Sequence, residues 1–156
     1  MSLEVWFYHL QRQPLDRALP ALLERARANG WTAVVQAADE ERVAALDDLL
    51  WTYADDSFLP HDVARASDGA PAPIVLTCGL DNPNAANVRL FVDGADVETA
   101  LAEPAARPSD RAIVVFDGAD EAALAVARAQ FRALKEAGFA LSYWRQTEGG
   151  GWEKVA

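Results

Sequence analysis

The segment "RAIVVFDGADEAALAVARAQFRALKEAG", residues 111–138, contains the clearest strand and the clearest helix of this sequence. Residues 111–118 are rich in β-branched and apolar side chains and predict a buried strand. Residues 119–138 carry acids in the first turn, bases in the last turn and Gly138 as a stop, and they predict a long amphipathic helix. A buried strand that runs directly into such a helix indicates an α/β fold.

The N-terminal half repeats this order of strand and helix. Strands are predicted at 3–10 and 31–37, and helices at 14–30 and 39–51, with Gly30 closing the first helix and Asp39 capping the second. Pro20 falls inside the first helical pattern, so that helix either begins near Pro20 or is kinked there. Residues 50–62 fit neither a regular helix nor a regular strand.

The C-terminal half supplies the remaining elements. Strands are predicted at 74–78 and 87–94, one or two helical turns between 95 and 110, and a terminal hairpin or two edge strands from 139–146 and 152–156. The order β-α-β-α-β-β-β-α-β predicts a three-layer α/β fold, in which helices cover both faces of a mixed, partly parallel sheet. A length of 156 residues without internal repeats fits a single domain, 1–156.

Composition narrows the classes of function. The net charge is −10, which disfavours direct binding of double-stranded DNA because phosphate binding needs a clustered positive surface. The single cysteine, Cys78, allows neither an intrachain disulfide nor a multi-cysteine zinc site, and it favours a reducing cytoplasm. No apolar run approaches 18 residues and the N-terminus lacks the basic start of a signal peptide, so we expect a cytoplasmic protein with no membrane contact.

Catalytic patterns are sparse. The first strand–helix turn, "HLQRQPLDR" at 9–17, contains no glycine that could bring backbone N–H groups close to a pyrophosphate. Cys78 is expected to be a small core residue, and His9 to pack or to make one hydrogen bond. The adjacent carboxylates Asp55 and Asp56 favour solvation over cation binding. We expect no cofactor and no metal, and an enzyme or nucleotide-binding domain with a site at the strand C-termini is the alternative hypothesis.

Two groups of residues point to binding of other proteins. Arg128, Arg132 and Lys135 follow i, i+4 and i+7 spacing beside Phe131, which makes a plausible dock for an acidic peptide with an apolar tip. The alternative is that these bases offset the helix macrodipole while Phe131 belongs to the core.

The second group lies in "LWTYADDSFLPHD", residues 50–62, where large apolar side chains including Trp51 and Phe58 are rimmed by acids. Such a pattern indicates a protein-binding patch, unless the segment folds back and the rings plug the end of the sheet. A further hypothesis is direct binding of single-stranded nucleic acid by the basic helix together with Trp144 and Trp152.

These residues together resemble the chi subunit family of bacterial DNA polymerase III. The resemblance lies in "LDDLLWTYADDSFLPHDVA" (46–64), where a helix ending in Leu-Trp precedes a Ser-Phe-x-Pro-His run. It continues in the opening "WFYHL" (6–10) and in a C-terminal set, namely Arg128, Phe131, Arg132, Lys135, Gly138 and Phe139. It covers essentially the whole chain at consistent spacing.

The resemblance implies a non-catalytic adaptor of the replicase clamp loader, with a Rossmann-like fold that lacks nucleotide chemistry. One surface of the family binds the acidic, phenylalanine-terminated C-terminal tail of the single-stranded-DNA-binding protein. The matching residues here are Arg128, Phe131, Arg132 and Lys135. Another surface holds the small psi subunit or a repair helicase, and its matching residues are Trp51, Phe58, Pro60 and His61. Asp117 departs from the family pattern, because an acid stands where an apolar residue can line the tail pocket.

Overall fold

The computed structural model describes residues 3–11, 14–52, 60–63, 72–80, 82, 85–147 and 151–155. These residues form an eight-stranded sheet, four α-helices and one 3₁₀ turn, Pro104–Ala106. The strands are β1 (Glu4–Leu10), β2 (Ala33–Gln36), β3 (His61–Val63), β4 (Ile74–Thr77), β5 (Val88–Phe91), β6 (Arg111–Asp117), β7 (Ala140–Gln146) and β8 (Trp152–Lys154). The helices are α1 (Leu15–Ala28), α2 (Glu40–Thr52), α3 (Val97–Ala102) and α4 (Glu121–Glu136).

The sheet confirms the predicted mixed α/β architecture. Its strand order is β3-β4-β2-β5-β6-β1-β7-β8, and every neighbouring pair is parallel except β7 with β8. β1 lies between β6 and β7, so that Phe7 is flanked by Val114 and Tyr143. The arrangement is consistent with a Rossmann-like three-layer fold.

Helices cover both faces of the sheet, as predicted. On one face α1 and α2 pack against strand residues such as Tyr8, Val35 and Val115. On the other face α3 and α4 pack against a second set that includes Phe7 and Val114. The two sets alternate along β1 and β6 because successive side chains point to opposite faces. The helices that follow the neighbouring strands β1 and β6 therefore lie on opposite faces, which opens a crevice at the C-terminal ends of these strands.

Helix boundaries follow the predicted caps. The Asp39 carboxylate accepts a hydrogen bond from the Arg42 N–H at 2.9 Å at the start of α2. Gly30 and Gly138 have φ of 75° and 93° directly after α1 and α4, a conformation that glycine adopts without steric cost. Pro20 neither begins α1 nor ends it; the ring is buried inside a helix that starts at Leu15.

Two sequence expectations were wrong. Residues 61 and 62, the end of the stretch expected to be irregular, belong to the edge strand β3, which pairs in parallel with β4. Three residues are too few to show an alternating pattern, and an edge strand needs a partner on one side alone. Cys78 is exposed rather than core, because β4 ends at Thr77, one residue earlier than predicted.

The remaining C-terminal elements were predicted correctly. The 95–110 segment contains the short helix α3 and the 3₁₀ turn. β7 and β8 form an antiparallel hairpin, whose ends are joined by a 2.9 Å hydrogen bond from the Thr147 N–H to the Gly151 carbonyl oxygen. None of the helices in the described ranges is both long and apolar enough to cross a bilayer.

Candidate functional site

A group of aromatic rings lies between α4 and the two strands beneath it. Phe131 of α4 is partly buried, and its ring centroid lies 5.2 Å from that of Phe7 and 6.2 Å from that of Tyr143, both edge-on. Phe116, at the end of β6, lies 6.1 Å from Tyr143. Phe131 is thus part of the packing on this face of the sheet, as the core interpretation expected, and it also borders the surface. Its role in docking a peptide stays a prediction.

His9 lies beside this group of rings, near the C-terminal end of β1. Its Nδ1 is 2.6 Å from the Tyr143 hydroxyl, which satisfies the expected single hydrogen bond. The imidazole lies directly over Gly118, where a Cβ atom would come within 1.7 Å of His9 Nε2. Glycine is therefore required at 118 for this position of the ring. His9, Gln11, Gly118 and Ala119 line an open hollow of about 320 Å³, near the lower end of the range for small-ligand pockets.

Two arginines place positive charge around this hollow. Arg128 of α4 and Arg145 of β7 both act electrostatically on His9 and on Tyr143. Burial and these two charges lower the pKa of His9, while the Asp117 carboxylate partly opposes the shift. Burial raises the pKa of Tyr143, so the hydroxyl remains protonated at neutral pH. We call the set His9, Phe116, Arg128, Phe131, Tyr143 and Arg145 the α4–β7 site.

The structure brings only part of the predicted cationic stripe to this site. Arg128 is close to His9 and Tyr143, and Phe131 is in contact with Tyr143. Arg132 and Lys135 are exposed farther along α4, and Lys135 lies roughly 10 Å along the helix axis from Arg128. None of these three bases makes an ion pair within the described part of the chain. Their charges are therefore available to an acidic ligand.

Asp117 is held in a local turn. Its side-chain oxygen accepts a hydrogen bond of 2.9 Å from the Ala119 N–H just before α4 begins. One carboxylate oxygen of Asp117 is therefore held by the backbone of this turn. The charge still reaches His9, whose pKa it raises against the two arginines.

The second candidate surface surrounds Trp51 in the last turn of α2. Trp51 is 55% exposed, the largest exposed fraction among the exposed large apolar residues of the described chain. Its ring centroid is 4.7 Å from that of His61, and Pro60 beside it is half-buried. Trp51 therefore does not plug the end of the sheet. Phe58, which the resemblance assigns to the same surface, lies outside the described residues. We call Trp51, Pro60 and His61 the Trp51 surface.

The buried side chain of His61 packs against Trp51 at this surface. Its side chain has no solvent exposure, and its Nε2 lies 3.1 Å from the Asp47 Oδ1. Asp47 precedes Trp51 by four residues on α2, so the two side chains lie on one face of that helix. The imidazole packs against the Trp51 ring and does not itself present area to a partner.

A separate cleft opens at the crevice between β1 and β6. Its volume is about 490 Å³, and its lining includes Leu15, Asp93, Asp117 and Asp120, as well as Arg42. The Arg42 Nε is 2.9 Å from Asp93 Oδ2, so the guanidinium is already engaged by a carboxylate. Three carboxylates around the cleft oppose a phosphate group. Within the described ranges, no group of three or more His, Cys, Asp or Glu side chains could hold a metal ion.

The tryptophans of the nucleic-acid hypothesis lie away from the basic helix. Trp144 and Trp152 pack against the cluster on the α1/α2 face, whereas α4 covers the opposite face. The basic helix and these rings therefore lie on opposite faces of the sheet, and this arrangement does not support one surface that combines them.

Sequence reasoning also missed residues of the α4–β7 site. Tyr143, Arg145 and Gly118 are distant in sequence from Arg128, and no helical spacing relates them to it. A partial signal existed, because residues 140–146 were predicted as a strand and alternate residues of a strand share a face. The missing step was the pairing of β7 with β1, which brings Arg145 beside His9.

Comparison with known proteins identifies the family to which the chain belongs. A profile of the family described as "DNA polymerase III chi subunit, HolC" matches residues 2–142. A "Probable DNA polymerase III subunit chi" from Rickettsia prowazekii is 29% identical over 94 residues, 60% of this chain, and the match spans only 57% of that protein's length. A "DNA polymerase III subunit chi" from Pseudomonas aeruginosa is 28% identical over 120 residues, 77% of this chain and 78% of that protein. The chain therefore belongs to the DNA polymerase III chi subunit family.

Proposed function

We propose that this chain is a non-catalytic accessory subunit that links the DNA polymerase III clamp loader to the single-stranded-DNA-binding protein. It would do so by docking the acidic, phenylalanine-terminated tail of that protein on the α4–β7 site. The observation that carries the proposal is that Arg128 acts electrostatically on Tyr143 and His9, and that it lies on the same helix as the partly buried Phe131, whose ring meets that of Tyr143. A guanidinium can grip a carboxylate while the neighbouring rings accept an apolar side chain.

The charge of the chain supports this choice of ligand. In a protein of net charge −10, three arginines and a lysine at or beside one site, Arg128, Arg132, Lys135 and Arg145, form a local exception. A tail that carries several carboxylates would be attracted to this site and repelled elsewhere. Arg132 and Lys135 would contribute along the acidic stretch of the tail, because both are exposed on the same helix.

Calorimetry with a synthetic peptide of the tail tests the proposal. We expect a roughly micromolar dissociation constant, about −8 kcal/mol, and weaker binding as salt is raised. Arg128→Ala should weaken binding by about 1–3 kcal/mol, since one end of a charge-assisted contact is lost. Arg17→Ala is the matched control, because Arg17 is exposed on α1 at the opposite face of the sheet. Absence of binding to the wild-type protein at low salt would refute tail docking.

The Trp51 surface is proposed to bind the second partner, either a psi-like clamp-loader subunit or a repair helicase. An exposed indole held by a buried imidazole is a rigid apolar anchor, of the kind enriched at interface hot spots. Clamp-loader proteins or a helicase should co-purify with the wild-type protein and be lost with Trp51→Ala, as identified by mass spectrometry. Equal recovery with both proteins would contradict this assignment.

A nucleotide-binding function is the alternative, and it would use the cleft between β1 and β6. The three carboxylates at that cleft and the engagement of Arg42 by Asp93 disfavour it. ATP or NAD should therefore produce no thermal shift. A shift of several degrees with either nucleotide would favour the alternative over an adaptor.

A further inference from the structure

We propose that His9 and Arg145 belong to the tail-docking site and that docking of the acidic tail is accompanied by uptake of a proton on His9. The inference rests on the proposed function and adds to its bases a further cationic group, which becomes charged near neutral pH when the tail docks. The geometry that carries it is the hollow lined by His9, Gln11, Gly118 and Ala119. Arg145 lies beside His9 in the register of β1 with β7, and Arg128 of α4 acts electrostatically on the imidazole.

The position of the imidazole is fixed on two sides. The Tyr143 hydroxyl lies 2.6 Å from Nδ1, and Gly118 leaves no Cβ atom to displace the ring from below. The Phe116 ring lies 5.2 Å away. An imidazole held in this way can gain a proton without moving, because the tyrosine hydroxyl can change from donor to acceptor.

Among the described residues, the charges that face His9 come from three elements. Arg145 lies on β7, the strand beside β1, Arg128 lies on α4, and Asp117 lies at the end of β6. Without a ligand, burial and the two arginines keep the imidazole neutral at neutral pH. Neither arginine is paired with a carboxylate in the described part of the chain, and Asp117 offsets only part of their repulsion of an added proton.

An anionic ligand reverses this balance. A carboxylate between Arg128 and Arg145 neutralises their field at His9 and adds attraction for a proton. The pKa of His9 therefore rises when the tail docks, and docking and protonation favour each other by linkage. Aspartate, glutamate and terminal carboxylates of the tail stay ionised above about pH 5. Changes in affinity between pH 6 and 8 consequently report a group of the protein.

The inference is tested by calorimetry of the tail peptide from pH 5.5 to 8, in pairs of buffers that differ in ionisation enthalpy. We expect net proton uptake near pH 6 and affinity that increases as pH falls, by at most about tenfold per unit, the limit for one linked proton. His9→Gln should remove the pH dependence of tail affinity, because glutamine retains a polar partner for Tyr143 but takes up no proton in this pH range.

The contribution of Arg145 is measured separately. Arg145→Ala should weaken tail binding by about tenfold at pH 6, as expected for the loss of one charged contact. Lys154→Ala is the matched control, because Lys154 is an exposed base on β8, opposite Trp144 in the register, and Trp144 packs on the other face of the sheet. An effect no larger than that of the control would remove Arg145 from the site.

Titration by NMR gives a second measurement that needs no variant. The chain contains two histidines, so the ring signals of His9 and His61 can be separated, and His61 lies at the Trp51 surface as an internal reference. Saturating peptide should shift the titration of His9 to higher pH. The chemical shifts of the His61 ring should not respond to the peptide.

The outcomes separate the two proposals. A wild-type protein that binds the peptide at no pH overturns tail docking, and this inference with it. Binding that is equal at pH 6 and pH 8 without proton uptake overturns the role of His9 and leaves tail docking standing. Proton uptake that persists in His9→Gln also overturns it, because another group would then take up the proton.

Discussion

The two faces of the same pair of strands, β1 and β7, use aromatic residues in different ways. On the α1/α2 face, Trp6 stacks on Trp144 at 4.8 Å and Tyr8 stacks on Trp152 at 4.3 Å, with interplanar angles of 30° and 23°. On the α3/α4 face, the rings meet edge-on, as when Tyr143 contacts His9 at 76°. Adjacent residues along one strand thus enter two different environments.

The difference shows how a structural cluster can be told from a binding site. Stacked rings cover each other, and on that face the Arg111 guanidinium already lies 3.7 Å from the Trp6 ring centroid. Little remains there for a ligand to contact. On the other face, Gly118 leaves a hollow beside His9, and Arg128 and Arg145 have no acidic partner among the described residues. We infer that the stacked rings of the α1/α2 face hold the β7–β8 hairpin in place, and that the α4–β7 site binds the acidic tail.

The largest expected effect tests the structural face. Trp6→Ala removes the stack on Trp144 and the contact with Arg111, and we expect the free energy of unfolding to fall by about 3–5 kcal/mol. Urea unfolding measures this change. Tail affinity of the folded fraction should stay within about twofold, because no ring of the α4–β7 site is altered. A loss of stability below about 1 kcal/mol would contradict the structural assignment.

The next largest effect is expected at Gly118, beside His9 in the α4–β7 site. Gly118→Ala places a Cβ atom against His9 and should displace the imidazole from Tyr143. We expect a loss of about 1–3 kcal/mol in stability from the strain, with a clear loss of tail affinity. Gly151→Ala is the matched control, because its added Cβ makes only an ordinary 3.5 Å contact with Thr147. Similar behaviour of both variants would refute the requirement for glycine at 118.

A smaller effect is expected on stability when Trp51 is replaced. Trp51 is 55% exposed, in contrast to the partly buried Trp6, so Trp51→Ala should change the free energy of unfolding by only about 0.5 kcal/mol. Thermal or urea unfolding of the two tryptophan variants side by side gives the comparison. A large loss with Trp51→Ala would show that this ring also serves the core.

The smallest effect concerns pH and the ligand-free protein. The pKa of His9 is lowered in the folded state, so its contribution to stability is present above about pH 6.5 and is lost as pH falls through the folded-state pKa. Below pH 6.5, the free energy of unfolding of the ligand-free wild-type protein should therefore fall slightly more than that of His9→Gln. If both proteins give the same pH profile in this window, the imidazole is not perturbed by its surroundings.

Much of the fold follows from local patterns. The strand–helix alternation, the caps at Asp39 and Gly138 and the C-terminal hairpin depend on residues that are neighbours in sequence, so spacing and composition reveal them. β3 was not predicted, because three residues carry no periodicity and the strand exists only through its pairing with β4.

The candidate site was predicted less completely, for a related reason. Arg128 and Phe131 could be grouped because they lie on one helix, and both act on or contact Tyr143 in the structure.

The buried Arg89 of β5 also gave no sequence signal, because an arginine is expected at the surface. Its guanidinium donates to the Gln36 side-chain oxygen at 2.8 Å and to the Gly79 carbonyl oxygen at 2.9 Å.

The sequence by itself determined the alternation of strands and helices, the helix ends and the stripe of bases on α4, because each depends on contacts within a few residues. Only the tertiary structure decided that Arg145 and Gly118 join Arg128 around His9, and that Trp144 and Trp152 do not. Strand order and register bring together side chains that are more than 100 residues apart, as in the 2.6 Å contact of His9 with Tyr143. No local pattern encodes such a contact, since it depends on which strands become neighbours in the sheet.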